Sequence, residues 1–195
     1  MKKANVKKMV TLSLLIAIIV VLQVTAGQLP KLPGGASINL VLIPIVLGAA
    51  FYGAGAGAIL GAVCGLIVFY YSFSGLDPVG FAIFTVNPIA CFLICVGKST
   101  LAGVAAGAFY KMLSNKNGYV AMLTAAIICP VVNTGLFMGS VWLFFRNTVA
   151  QLNESTAVTI VSLFGSILLL NAIPELLINI LFSPAGQRIL KAIRK

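Results

Sequence analysis

Histidine is absent from this 195-residue chain, and only three acids, Asp77, Glu154 and Glu175, stand against thirteen lysines and arginines. Without imidazole there is no usual proton shuttle, no Ser-His or Cys-His nucleophile pair, and the commonest metal ligand is missing. No acid–base pair suits catalysis, so the sequence predicts no catalytic residue, no metal and no cofactor. Charge of either sign is scarce at 8% of residues. The four cysteines, Cys64, Cys91, Cys95 and Cys129, all fall within apolar runs, where cysteine behaves as a small hydrophobe. They indicate neither a disulfide framework nor a zinc site, although Cys91 and Cys95 share a helix face at four-residue spacing. A Gly-xxxx-Gly-Lys-Ser/Thr loop is also lacking, so the chain cannot use ATP alone. What is present in quantity is apolar: 61% of residues are hydrophobic, with a mean hydropathy of +1.12. That identifies an integral membrane protein.

Crossing a hydrocarbon layer of about 30 Å takes roughly 20 residues per helix. The chain therefore holds five or six spans and no soluble domain besides, and residues 1–195 form one transmembrane domain. Hydrophobic runs separated by Gly, Pro, Asn and charge place six spans near 9–26, 38–52, 55–73, 85–113, 119–145 and 157–182. The expected fold is an all-α bundle of six transmembrane helices. Lys2, Lys3, Lys7, Lys8, Lys111, Lys116, Arg188, Lys191, Arg194 and Lys195 fall on one side of it, with only Lys31 and Arg146 opposite. Because cations stay cytoplasmic during insertion, both termini are expected in the cytoplasm. The basic balance is thereby explained by membrane lipid, and no aromatic-interleaved platform for nucleic acid accompanies it. The first span also fits a cleaved signal peptide, with small residues before Gly27. Its removal leaves the orientation of the other five unchanged.

Polar residues in hydrocarbon are costly and usually face a bundle interior or cavity. Five amides qualify: Gln23, Asn39, Asn87, Asn133 and Asn171. Counted along helices rising about 1.5 Å per residue, the first four converge on the outer half of the membrane from four different spans. They predict a solvent-filled pocket open to the outside, with the Thr134 hydroxyl beside it. The Gly/Pro-rich segments 28–35 and 72–84 are long enough to cover it, and aromatics crowd the same end. Lys98 and Glu175 lie within spans, past the midplane. Lys98 is either the counter-ion of an anionic substrate, or it pairs with Glu175 or snorkels to the cytoplasmic headgroups. Small residues recur every fourth position at Gly53, Gly57, Gly61 and Gly65, at Gly103 and Gly107, at Gly135 and Gly139, and at Ser13 and Ala17. Such stripes let transmembrane helices approach closely.

In its basic start, its Ser13/Ala17 pair and its Gly/Pro-rich first loop the chain resembles the S component, or substrate-binding subunit, of energy-coupling factor (ECF) vitamin transporters. The runs Ile38-Asn39-Leu40-Val41-Leu42-Ile43-Pro44, Tyr52-Gly53-Ala54-Gly55-Ala56-Gly57, Val86-Asn87-Pro88 and Cys129-Pro130-Val131-Val132-Asn133-Thr134-Gly135 carry the same resemblance, as does the Gly103 to Gly107 stretch. The resemblance implies a subunit of the bacterial plasma membrane that binds a water-soluble vitamin outside. It also implies delivery through a transmembrane coupling (T) subunit and two cytoplasmic ATPase subunits. Ser13 and Ala17 stand where the family's first helix carries the Ala-xxx-Ala pair that contacts the T subunit. Amides, Thr134 and aromatics suit riboflavin, whereas a mid-depth Lys98 suits the carboxylate of pantothenate. The rival reading is a self-sufficient oligomeric channel or carrier.

Overall fold

A backbone in hydrocarbon has no water to bond, so each peptide group must be satisfied within its own segment, and helices result. A computed structural model describes residues 2–28, 40–145, 165 and 168–194 of the chain. Among the described residues there are seven α-helices and no strand: α1 (Lys2–Gln28), α2 (Leu42–Tyr52), α3 (Ala54–Phe73), α4 (Pro78–Val86), α5 (Pro88–Ser114), α6 (Gly118–Phe144) and α7 (Ile173–Arg194). One π-helical turn, Leu168–Ala172, leads into α7. Four helices are long and apolar enough to cross a membrane, at Val6–Ala26, Ala54–Phe73, Pro88–Ser114 and Gly118–Phe144, while α2 is a shorter apolar helix.

Local chemistry sets the breaks. Gly53 takes φ 85° between α2 and α3, a left-handed conformation that glycine adopts without steric cost. Pro88 occupies the first turn of α5, where its missing N–H costs nothing, and the Asn87 side chain accepts hydrogen bonds from the N–H groups of Ile89 and Ala90. Asn117 caps α6 in the same way, through Tyr119 and Val120. The span expected from residue 85 therefore starts at Pro88, and most of α4 falls within the segment 72–84 expected as a loop. The last helix also runs past the expected residue 182 to Arg194. There Gln187 and Leu190 are buried while Arg188 and Lys191 are exposed, so an amphipathic face continues the helix beyond its apolar stretch.

Glycine decides the closest packing. An added Cβ on Gly57 would strike the backbone of Gly103, one on Gly61 the backbone of Ser99, and one on Gly65 the backbone of Cys95. The stripe on α3 thus lies directly on α5, and this is the most extensive helix pair in the bundle. Gly135 and Gly139 on α6 are different, since a Cβ on either meets nothing within 4 Å. The expectation of tight packing at that pair is not met inside the described bundle. The short helix α2 sits centrally, touching α1, α3, α5, α6 and α7, with Leu42, Ile45 and Ala49 in the main core beside Ile19, Leu60 and Ala102. A smaller cluster around Ile83, Cys91, Cys95, Val141 and Phe145 fills the opposite end.

One end of the bundle is basic. The Lys8 ammonium lies 5.9 Å from the Tyr52 ring centroid, and that of Lys191 lies 4.5 Å from Tyr119. Ser114, Gly118, Gln187 and Lys191 line one open recess at the same end.

Candidate functional site

Because Ser114, Gly118 and Lys191 share that recess, they give a common origin for measuring depth along α5, α6 and α7. Lys98, Asn133 and Glu175 each stand about 15 residues from it, roughly 23 Å by helix rise. Three polar side chains from three helices therefore stand at about one depth near mid-bundle. A hydrogen bond confirms the alignment: Ser99 Oγ donates to Asn133 Oδ1 at 3.3 Å. The Lys98 ammonium sits 4.2 Å from the centroid of the Phe137 ring, one turn beyond Asn133 on α6, which attracts it through the ring's electron-rich face.

Glu175 is only 2% exposed, and its Oε1 has no hydrogen-bond partner among the described residues. It lies within electrostatic reach of Lys98, yet no ion pair is closed between them. On α3, Gly61 lies directly against the backbone of Ser99, and the neighbouring Cys64 is buried. One turn below, Asn179 Nδ2 donates to the Glu175 backbone carbonyl at 2.8 Å. Above Lys98 a small cavity, with room for about one water molecule (≈ 10 Å³), is lined by Cys91, Cys95, Phe137, Gly80 and Asp77. A second of the same size lies beside Asn179 and Ser183, between α7 and residues of α2 and α6.

The predicted site residues separate into groups. Lys98 and Asn133 come together, with Thr134 half-buried beside Asn133. Gln23 is buried at 7% exposure; its Oε1 has no partner among the described residues, and its backbone carbonyl accepts from the Tyr71 hydroxyl at 3.1 Å. Asn87 stands apart: it is exposed, its Oδ1 is engaged at the start of α5, and it lies eleven positions from Lys98 along that helix. Asn39 and most of the 28–35 segment lie outside the described residues. Asn87 and Asn133, expected at one depth above Lys98, therefore stand at different levels. Asn133 is level with Lys98 because Ser99 binds it, while Asn87 belongs to the helix end. Ser13 and Ala17 are both exposed on α1.

Sequence reasoning passed over Ser99 and most of α7. Asn171, Glu175, Asn179, Ser183 and Gln187 recur every fourth residue, and the last four are buried. A four-residue period places them on one helix face, so α7 turns a polar stripe inward along its length. That spacing was visible in the sequence. It is masked by the surrounding leucines and isoleucines, and by two prolines that make the segment read as broken.

A family model described as "ECF transporter, substrate-specific component" matches residues 7–185. The chain is also 28% identical to the "Pantothenic acid transporter PanT" of Lactococcus lactis subsp. cremoris (strain MG1363), over 95% of this chain and 94% of that protein. A charged and amide-bearing cluster thus stands in the middle of apolar helices. By sequence match over nearly its whole length, this chain belongs to the substrate-specific components of ECF transporters, a family of multi-pass vitamin-uptake subunits that are not enzymes.

Proposed function

We propose that this chain captures pantothenate at the outer face of a bacterial plasma membrane and passes it inward as the substrate-specific subunit of an ECF-type importer. In this reading the chain crosses six times with both termini cytoplasmic, so the basic end described above faces the cytoplasm. The observation that carries the choice of vitamin is Lys98, a half-buried cation at mid-depth, resting on Phe137 and level with the Ser99–Asn133 pair. Pantothenate carries one carboxylate, a secondary amide and two hydroxyls, so it offers an anion for Lys98 and polar groups for the amides. Riboflavin has no charge to balance a cation in hydrocarbon. The similarity to a protein named as a pantothenic acid transporter supports the same choice.

Lys98 receives the carboxylate in this scheme, Asn133 and Thr134 bind the polar body of the vitamin, and Gln23 and Asn39 add further polar contacts to it. Asn87 contributes by holding the start of α5. Ser13 and Ala17, exposed on α1, form the contact with a transmembrane T subunit, and two ATPase subunits supply the energy. The purified chain binds pantothenate without ATP, and vesicles containing this chain alone do not accumulate it. Lys98→Met weakens binding by about 10- to 150-fold, the equivalent of a hydrogen bond to a charged group. Unchanged affinity in that variant, or accumulation by the chain alone, refutes the scheme.

A further inference from the structure

Buried polar atoms in folded proteins are almost always paired, and each exception calls for an explanation. Three exceptions follow the four-residue spacing of that polar stripe: Asn171 Oδ1 in the π-helical turn, and Glu175 Oε1 and Gln187 Oε1 on α7. Gln187 lines the open recess at the basic end, whereas Asn171 and Glu175, four positions apart, lie deep in the bundle. Both are acceptors, so what each lacks is a donor. Glu175 is only 2% exposed, and its Oε1 finds no donor among the described residues. Nor is it neutralised by contact with Lys98. A buried ammonium and carboxylate attract strongly in a low-dielectric interior, yet here the ammonium lies over Phe137 and the carboxylate oxygen stays open. Counted along the helices from the basic end, the Lys98 ammonium on α5 and the open Glu175 acceptor on α7 stand at one depth without closing an ion pair.

We infer that Glu175, with Asn171 one turn away, is a specificity-determining group that accepts hydrogen bonds from the hydroxyls of a substrate whose carboxylate is held by Lys98. This rests on the pantothenate reading and sharpens it: the favoured ligand is an anion at one end and a hydroxyl donor at the other. A fatty acid or simple amido acid satisfies only Lys98. A neutral polyol satisfies only α7. Leaving Glu175 without a donor in the bound complex penalises such ligands, because sites built around buried polar groups reject analogues that cannot pair with them.

The test compares pantothenate with its analogue in which both hydroxyls are replaced by hydrogen, titrated calorimetrically into the purified full-length chain. Wild type is expected to prefer pantothenate by about 10- to 100-fold. Glu175→Leu abolishes that preference, because pantothenate loses its acceptor and the analogue no longer strands one, and Glu175→Gln, which keeps a carbonyl acceptor, retains part of it. Lys98→Met weakens both ligands by the same factor, since both carry the carboxylate. Should Glu175→Leu fail to fold, the nearly isosteric Glu175→Gln carries the comparison. Glu175 variants that lose both ligands equally, or neither, overturn the inference and leave the pantothenate reading standing. A wild-type chain that binds no pantothenate overturns both.

Discussion

Substituting Gly61 by alanine adds a single methyl group at the tightest seam in the molecule. The new Cβ would lie 2.7 Å from the Ser99 carbonyl carbon and 3.0 Å from Thr100 Cα, and closer still to the Ser99 carbonyl oxygen. All three are backbone atoms, so no rotamer change can relieve the clash. Ordinary contact needs about 3.5 to 4.0 Å, and α3 and α5 must separate by roughly 1 Å along that turn. Overpacking of this kind costs about 1–3 kcal/mol, offset by about 0.5–1 kcal/mol gained from replacing a helical glycine. A net loss near 1–2 kcal/mol lowers Tm by about 2–8 °C in a protein of this size. Gly97→Ala is the control, because its Cβ meets nothing within 4 Å; it should leave Tm unchanged or raise it by about 1–3 °C. The clash also falls on the residue whose hydroxyl binds Asn133, so Gly61→Ala should weaken vitamin binding as well. Thermal unfolding of the two variants in detergent decides the matter. If Gly61→Ala melts with Gly97→Ala, the α3–α5 seam is not the close backbone contact described.

Three further outcomes are expected. Asn87→Ala should lower stability by about 1 kcal/mol through loss of the α5 cap, while Asn87→Asp, which keeps the acceptor, should melt within about 2 °C of wild type. An equal loss in both variants would assign Asn87 some other role. Ser99→Ala should reduce vitamin affinity by about 5- to 10-fold, as expected for one neutral hydrogen bond that orients Asn133; titration with no change would show that Asn133 needs no such support. Leucine at both Ser13 and Ala17 should leave vitamin binding intact and abolish co-purification with the coupling and ATPase subunits. Recovery of the full assembly would place the docking face elsewhere.

The membrane class, the helical fold and the absence of catalysis were legible in composition alone, because apolar content and missing residue types are sums over the chain. The glycines of α3 were legible too, since a four-residue spacing defines one face whatever that face touches. Which stripe is buried was not: Gly57 and Gly61 lie against α5, whereas Gly135 and Gly139 share the pattern and meet nothing within 4 Å. Depth was the least legible quantity. Residue counts from presumed span ends put Asn87 and Asn133 together and Lys98 beneath them, an error that arose because Asn87 ends one helix and begins the next.

By itself, then, the sequence determined that this is a multi-pass helical membrane protein, with lysine, amides and one glutamate as its costly exceptions. Only the tertiary structure decided that Lys98, Asn133 and Glu175 share a level, that Asn87 belongs to a helix cap, and that Glu175 faces inward with an open acceptor. The reason is physical: burying a polar group has a cost that one-dimensional patterns reveal, but whether its partner is a backbone amide, a neighbouring helix or a ligand depends on how the helices meet.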